Sequence, residues 1–112
     1  MEKHIHIINN DKVSEIELLD NDTIYDMSLL FKMFSDPTRI KILYALSEKS
    51  LNVCEISYVL NMSHSAISHQ LATLKMANLV KGQKIGKEVY YSLIDEHVAS
   101  LLSIGKEHVL EG

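Results

Sequence analysis

The spacing of apolar residues changes once along the chain, and this change restricts the fold more than any other feature. Between residues 23 and 78 apolar side chains recur every three or four positions, which is the period of amphipathic helices. The segments 79–85 and 88–93 instead alternate between apolar and polar residues, and Gly86-Lys87 between them is a turn signal, so a β-hairpin is predicted there. Helical spacing returns from Asp95 to about Leu110. The sequence therefore predicts one hairpin set between helices.

Four helices are predicted ahead of the hairpin. The first covers Thr23–Phe34, and the second runs from Pro37 to about Ser47. The third is opened by Asn52 and Glu55 as a capping box and runs to about Leu60. The fourth runs from Ser63 to about Met76. Residues 1–22 show no sustained period and contain clusters of Asn and Asp. We therefore predict a flexible N-terminal arm over residues 1–22 and one folded domain over residues 23–112.

A tight break at residues 61–63 separates the last two of these helices, and the second of the pair begins with small and polar residues. This arrangement is typical of a helix-turn-helix, and the hairpin after it predicts a winged helix-turn-helix, mainly α with a β-hairpin wing (α+β). We expect the second helix to enter the major groove of DNA and the wing to contact phosphates. The candidate DNA-binding residues are Ser63, His64, Ser65, Ser68, His69, Gln70, Lys84 and Lys87.

The net charge of −4 hides a segregation of charge along the chain. Residues 1–36 sum to −5 and residues 94–112 to −3, whereas residues 63–93, which hold the predicted helix and wing, sum to +3. DNA affinity depends on local neutralisation of phosphates, so the charge of residues 63–93 matters more than the net charge of the chain. Its positive sign favours a nucleic-acid partner.

Other features of the sequence limit the class of protein. The only cysteine, Cys54, cannot form a disulfide within its chain, which fits a reducing compartment. No apolar run approaches the roughly 20 residues that span a bilayer, and the N-terminus does not read as a signal peptide, so we expect a cytoplasmic protein without a membrane partner. No Gly-rich phosphate loop and no catalytic Ser/His/Asp set outside the predicted DNA-contacting helix are present, so an enzyme is not expected.

Three motifs together resemble the ArsR/SmtB family of metal-sensing repressors. They are Ser35-Asp-Pro-Thr-Arg-Ile-Lys-Ile-Leu43, Ser63-His-Ser-Ala-Ile-Ser-His-Gln-Leu71, and Gly86 ahead of Val89-Tyr-Tyr-Ser-Leu93. The resemblance covers roughly residues 24–111. It implies a homodimer that binds double-stranded operator DNA and dissociates from it when a divalent metal ion binds.

Four potential metal ligands lie at the two ends of the last predicted helix: Asp95 and His97 at its start, His108 and Glu111 at its end. The two histidines are about 20° from sharing one face of the helix, but they are ~16 Å apart along its axis, too far to bind one ion. Two helices packed antiparallel could join the start of one to the end of the other, which gives two equivalent sites in a homodimer.

Two imidazoles with two carboxylates are a donor set that suits Zn(II), with Co(II) or Cd(II) as alternatives. The resemblance implies the same site, because Asp95, His97 and His108 match the ligand positions of the family's C-terminal-helix sites. Glu111 departs from the histidine that is common at its position. We therefore predict Zn(II) as the effector.

A second metal site and other inducers remain as alternatives. Some family members bind softer ions through Cys-x-Cys near the start of the third helix together with the N-terminal arm. Asn52 replaces the first of those cysteines here, which leaves Cys54, Glu55, His4 and His6. A lone cysteine on an apolar helix is more often a small buried residue. The rival functions are a repressor of the same fold that responds to Cd or Pb, to oxidation of Cys54 or to a small organic ligand, and a metal-binding or protein-interaction module without a DNA role.

Overall fold

A computed structural model describes residues 10–112, so His4 and His6 lie outside the described residues. The elements in chain order are α1 (Asn10–Val13), α2 (Asn21–Met33), α3 (Pro37–Glu48), β1 (Leu51–Asn52), α4 (Val53–Leu60), α5 (His64–Met76), β2 (Val80–Ile85), β3 (Glu88–Leu93) and α6 (Glu96–Glu111). The predicted order of helices, hairpin and final helix is confirmed. None of the helices in residues 10–112 combines the length and hydropathy needed to cross a membrane.

One apolar core joins the helices to the base of the hairpin. Its buried side chains come from α3, α4, α5, the start of the hairpin and α6: Ile42, Leu43, Leu46, Ile56, Ile67, Leu71, Leu74, Leu79, Val80 and Val98. Helix α3 lies in the middle of this arrangement, because it packs against α4, β3 and α6. Helix α3 therefore connects α6 to α4 within one core.

The pair α4–α5 has the predicted helix-turn-helix boundaries because each helix is capped by its own side chains. The Asn52 side chain accepts a hydrogen bond from the Glu55 backbone N–H at 2.9 Å, and the Glu55 carboxylate accepts one from the Asn52 N–H at 2.9 Å. Asn61 then ends α4 in the left-handed conformation, with φ 55° and ψ 50°. Ser63 caps α5 by accepting from the Ala66 N–H at 3.1 Å.

The wing is antiparallel, and the sheet contains a strand that the sequence did not predict. Strand β3 pairs with β2 along its whole length and with the two-residue β1 on its other side, which gives the order β1-β3-β2. Gly82 lies close under its cross-strand neighbours, because an added Cβ would be 2.9 Å from Val89 Cγ1 and 3.3 Å from Tyr91 Cε1.

The N-terminal part of the chain projects from the core. Helix α2 begins at Asn21, two residues inside the segment that we predicted as arm, because Asp20 caps it by accepting from the Thr23 N–H at 2.7 Å. No residue of α1 or α2 is buried, and α2 packs against the core only through Leu30 and Met33 near its end. The principal extents of 65 × 31 × 30 Å reflect this projection.

Candidate nucleic-acid interface and metal ligands

Helix α5 has one buried face and one polar exposed face. Ile67, Leu71 and Leu74 are buried in the core and fix the rotation of the helix. The residues predicted to contact DNA therefore point outward: Ser63, His64, Ser65, Ser68 and His69 are exposed, and Gln70 is half-buried. Ser63 has a structural role as well, since its hydroxyl caps the helix.

The wing presents its lysines to solvent on different faces of the hairpin. Lys84 lies opposite Val89 in the ladder and shares a face with Gly82, whereas Lys81 lies on the opposite face. Lys87 lies at the turn, after Gly86 with φ 64°, and both Lys84 and Lys87 are exposed. The positive charge predicted for this segment is thus available to a polyanion.

The first pair of candidate metal ligands is brought together at the start of α6. Asp95 is the N-cap, and its Oδ1 accepts from the backbone N–H groups of His97 at 2.9 Å and Val98 at 3.4 Å. Its other oxygen lies 3.5 Å from His97 Nδ1. The imidazole of His97 is 94% exposed, so it can turn towards a ligand from outside the chain.

The second pair, His108 and Glu111, is exposed at the far end of α6. The helix has 16 residues and so is about 24 Å long. As the sequence predicted, the two pairs of candidate ligands therefore do not meet within one protomer. Within residues 10–112 no three His, Cys, Asp or Glu side chains are grouped as a metal site would need.

The remaining faces of α2 and α6 are apolar and open to solvent. Together with α3 they form a groove of about 560 Å³, which we call the α2–α6 groove. Its main apolar lining residues are Phe31, Phe34, Leu101, Leu102, Val109 and Leu110. Open apolar surface of this extent is typical of an interaction site.

A polar contact that the sequence did not predict lies in the α2–α6 groove. Lys106 Nζ on α6 donates to the Tyr44 hydroxyl on α3 at 3.0 Å and lies 5.3 Å from the centre of its ring. The hydrogen bond to Tyr44 raises the pKa of Lys106. No local pattern could have indicated this pair, because the two residues are 62 positions apart.

Two residues of the alternative second metal site, Cys54 and Glu55, have different roles in the structure. Cys54 is exposed, which corrects the expectation that it is a small buried residue. The reason is its position on α4, where Ile56 is the residue that faces the core. The Glu55 carboxylate accepts a hydrogen bond in the capping box. A ligand role for Glu55 would therefore compete with the start of α4.

Comparison with known proteins agrees with this architecture. Residues 36–81 match the family model described as bacterial regulatory protein, arsR family. A transcriptional repressor SmtB homolog of Synechocystis sp. is 34% identical over 107 residues, which are 94% of this chain and 81% of that protein. The chain belongs to the ArsR family.

A second relative and a solved structure extend the comparison. A cadmium resistance transcriptional regulatory protein CadC homolog of Staphylococcus aureus is 42% identical over 97 residues, which are 85% of this chain and 80% of that protein. The crystal structure of the AntR antimony-specific transcriptional repressor superposes with a TM-score of 0.78 at 22% identity, over 95% of this chain and 96% of that one, and confirms the fold. The chain is thus a winged helix-turn-helix transcription repressor and not an enzyme.

Proposed function

We propose that this ArsR-family chain represses transcription as a homodimer on operator DNA and that a divalent metal ion, Zn(II) before other ions, releases it. The observation that carries the proposal is the arrangement of donors on α6. Asp95 and His97 are paired at one end, and His108 and Glu111 are exposed at the other, with about 16 Å of helix between the two histidines. Among residues 10–112 nothing completes either half, and a second copy of the chain packed antiparallel would supply it.

The DNA half of the proposal rests on α5 and the wing. The exposed Ser63, Ser65 and Ser68 are short enough to let the helix approach base edges, and Gln70 can read them through its amide. Lys84 and Lys87 neutralise phosphates. In a two-fold symmetric dimer the two α5 helices address two half-sites of one operator.

The metal half of the proposal rests on donor chemistry. Asp95 and His97 of one protomer, with His108 and Glu111 of its partner, supply two imidazoles and two carboxylates, a set that fits Zn(II) better than a thiolate-preferring ion. The name of one relative, a cadmium resistance transcriptional regulatory protein CadC homolog, supports a metal effector. Co(II) and Cd(II) are the competing ions to be compared in titrations.

The packing of α6 supports a route by which a metal ion held there would affect DNA binding. Val98 lies in the same core as Ile67 and Leu71 of α5, and α6 packs on α3, which packs on α4. Metal bound between the two α6 helices favours one dimer geometry, and release follows if that geometry separates the α5 helices by the wrong distance. Such coupling is typically about 1–3 kcal/mol in allosteric systems.

The test measures operator affinity with and without Zn(II) by a mobility shift. Zn(II) should weaken binding of the unaltered dimer, and the double variant His97→Ala/His108→Ala should bind DNA normally but ignore Zn(II). Glu107→Ala, which removes a neighbouring α6 carboxylate outside the ligand set, is the matched control and should respond normally. A double variant that still responds to Zn(II) contradicts the α6 site.

Subunit mixing tests whether each site draws on both chains. The single variants His97→Ala and His108→Ala should each lack an intact site as homodimers. A heterodimer of the two should regain one site, made of His97 from one chain and His108 from the other. One recovered Zn(II) per heterodimer, measured by calorimetry, is the expected result, and no recovery contradicts a shared site.

The exposure of Cys54 keeps one alternative open, in which a softer ion or an oxidant acts on α4. The variant Cys54→Ser distinguishes a sensor on α4 from a sensor on α6, because it leaves the Zn(II) response intact if the α6 site is the sensor. Loss of the response in this variant, with operator affinity unchanged, favours the second site formed with His4 and His6.

A further inference from the structure

The segment that connects α1 to α2 carries large apolar side chains that stay exposed among the described residues 10–112. We call residues 13–20 the arm segment. Ile16, Leu18 and Leu19 are 66%, 84% and 55% exposed, and residues 16–20 form neither helix nor strand. Large apolar side chains concentrated in a short projecting segment indicate a surface that another molecule covers.

An apolar groove of matching character lies between α3 and α4, and we call it the α3–α4 groove. It encloses about 710 Å³, and its apolar lining residues are Ile40, Tyr44, Ala45, Leu51, Val59 and Leu60. Ile40 and Tyr44 also line the α2–α6 groove, so the two surfaces are continuous along α3. A partner segment that extends along α3 from the α2–α6 groove therefore reaches the α3–α4 groove next.

The charges of the arm segment and the α3–α4 groove are complementary. The arm segment carries Glu15, Glu17 and Asp20 and no basic residue. Lys41 and Lys49 line the groove, with Glu48 as its acidic residue. A third groove, between α2 and α5, is lined by one acidic and one basic residue, Asp26 and Lys32, so its charge is balanced. It shares no lining residue with the α2–α6 groove.

From these observations we infer that the arm segment of one protomer packs into the α3–α4 groove of its partner. The inference rests on the homodimer proposed above and adds to it a second, exchanged contact. Residues 14 and 15 form a turn, and Ile16 is four residues before the cap at Asp20, so it reaches up to about 14 Å beyond α2. Ile16 and Leu18, two positions apart, can both face the groove if this stretch is extended, which leaves Glu15 and Glu17 free to approach the lysines.

Cross-linking between two differently tagged chains tests the contact. Both carry Cys54→Ser, one carries Leu18→Cys and the other Val59→Cys, and a short bis-maleimide is added after the subunits have exchanged. We expect a covalent heterodimer. The control partner carries Met76→Cys in place of Val59→Cys, at a residue that is 90% exposed on α5 and outside the groove, and it should stay unlinked.

Sedimentation of the same samples separates failure of this inference from failure of the proposed function. A chain that sediments as a dimer but links Leu18→Cys equally to both partners, or to neither, overturns the arm contact and leaves the homodimer standing. Cross-linking within one chain that carries both Leu18→Cys and Val59→Cys, in preference to the heterodimer, also overturns it. A chain that sediments only as a monomer overturns both.

A second variant measures how much the contact contributes. Ile16→Ser/Leu18→Ser should raise the dimer dissociation constant by at least about 100-fold, since it removes two apolar side chains from each of the two exchanged contacts. Ser14→Ala, which changes an exposed residue of the same segment outside the proposed contact, is the control and should change the dissociation constant much less. Operator affinity at protein concentrations that saturate the dimer should be unchanged, and an unaltered dissociation constant in the double variant contradicts the contact.

Discussion

Asp20 shows how a single side chain places the start of α2. Its carboxylate accepts a hydrogen bond from the Thr23 backbone N–H at 2.7 Å, and this hydrogen bond to the charged form lowers the pKa of Asp20. A carboxyl whose pKa is lower in the folded state stabilises that state above its unfolded pKa. The contribution is lost as the pH falls through the lower, folded value.

We therefore expect the first turn of α2 to fray when the pH is lowered below about 3.8, the ordinary value for this carboxyl. Asp20→Asn caps the helix with a group that does not titrate, so its first turn should lack that step. The exchange rate of the Thr23 amide proton, followed by NMR across the acidic range, makes the measurement. Identical pH profiles in the two proteins contradict the role of the Asp20 charge.

At the scale of single elements, periodicity and capping were sufficient for most of the fold. The buried faces of α5 and the paired strands of the wing follow from apolar spacing, and the cap residues Asn52 and Ser63 fixed the starts of α4 and α5. Strand β1 was missed because two residues are too short to show a period. It exists through its pairing with Tyr90 and Tyr91, about forty positions away.

The parts of the site that depend on local sequence were predictable, whereas those that depend on packing between distant elements were not. Exposure of Ser65 and His69 follows from the burial of their neighbours on one helix, and the proximity of Asp95 to His97 follows from sequence spacing. The contact of Tyr44 with Lys106 depends on how α3 and α6 pack, which local patterns do not encode. The exposure of Cys54 depended in the same way on the rotation of α4 in the assembled core.

The shape of the wing depends on the absence of a side chain at Gly82. Gly82→Ala would place a methyl group 2.9 Å from Val89 Cγ1, closer than side chains normally approach, so β3 or the Val89 side chain must shift. We expect a loss of about 1–3 kcal/mol in the free energy of unfolding and weaker operator binding. Urea unfolding and a mobility shift measure the two effects.

Val89→Ala provides the rescue for that variant. The double variant Gly82→Ala/Val89→Ala removes the colliding methyl groups and should recover part of the lost stability, a non-additivity expected of residues in contact. Gln83→Ala, which alters the opposite face of the same strand, should affect stability little. Strictly additive effects of the two substitutions contradict the steric explanation.

At the scale of the whole molecule, residues 10–112 leave much apolar surface exposed, which the proposed homodimer would cover. Phe31 in the α2–α6 groove is half exposed, and the radius of gyration is 19.5 Å, against about 13 Å for a compact domain of this length. Folding and dimerisation should therefore be linked by mass action. The unfolding temperature should rise with protein concentration.

Phe31→Asp should separate the two processes. A charge in the α2–α6 groove is expected to weaken the dimer strongly, so that the variant sediments as a monomer at concentrations where the unaltered chain is dimeric. Operator affinity should fall with it, because one half-site alone is then contacted. Ser28→Asp, which adds the same charge elsewhere on α2, is the control, and a dimer that survives Phe31→Asp with full operator affinity contradicts the interface.

The capping box of α4 also restricts how the metal preference of such a repressor can evolve. The resemblance implies that a soft-metal site in this fold takes a cysteine at the position of Asn52, next to Cys54. Here Asn52 is 9% exposed and holds the start of α4, so Asn52→Cys removes a cap that contributes about 1 kcal/mol and leaves the Glu55 backbone N–H without its acceptor. The first mutational step towards a thiolate site is therefore a destabilised intermediate. Lineages that make this transition are expected to acquire a compensating substitution elsewhere in the helix-turn-helix before the new cysteine.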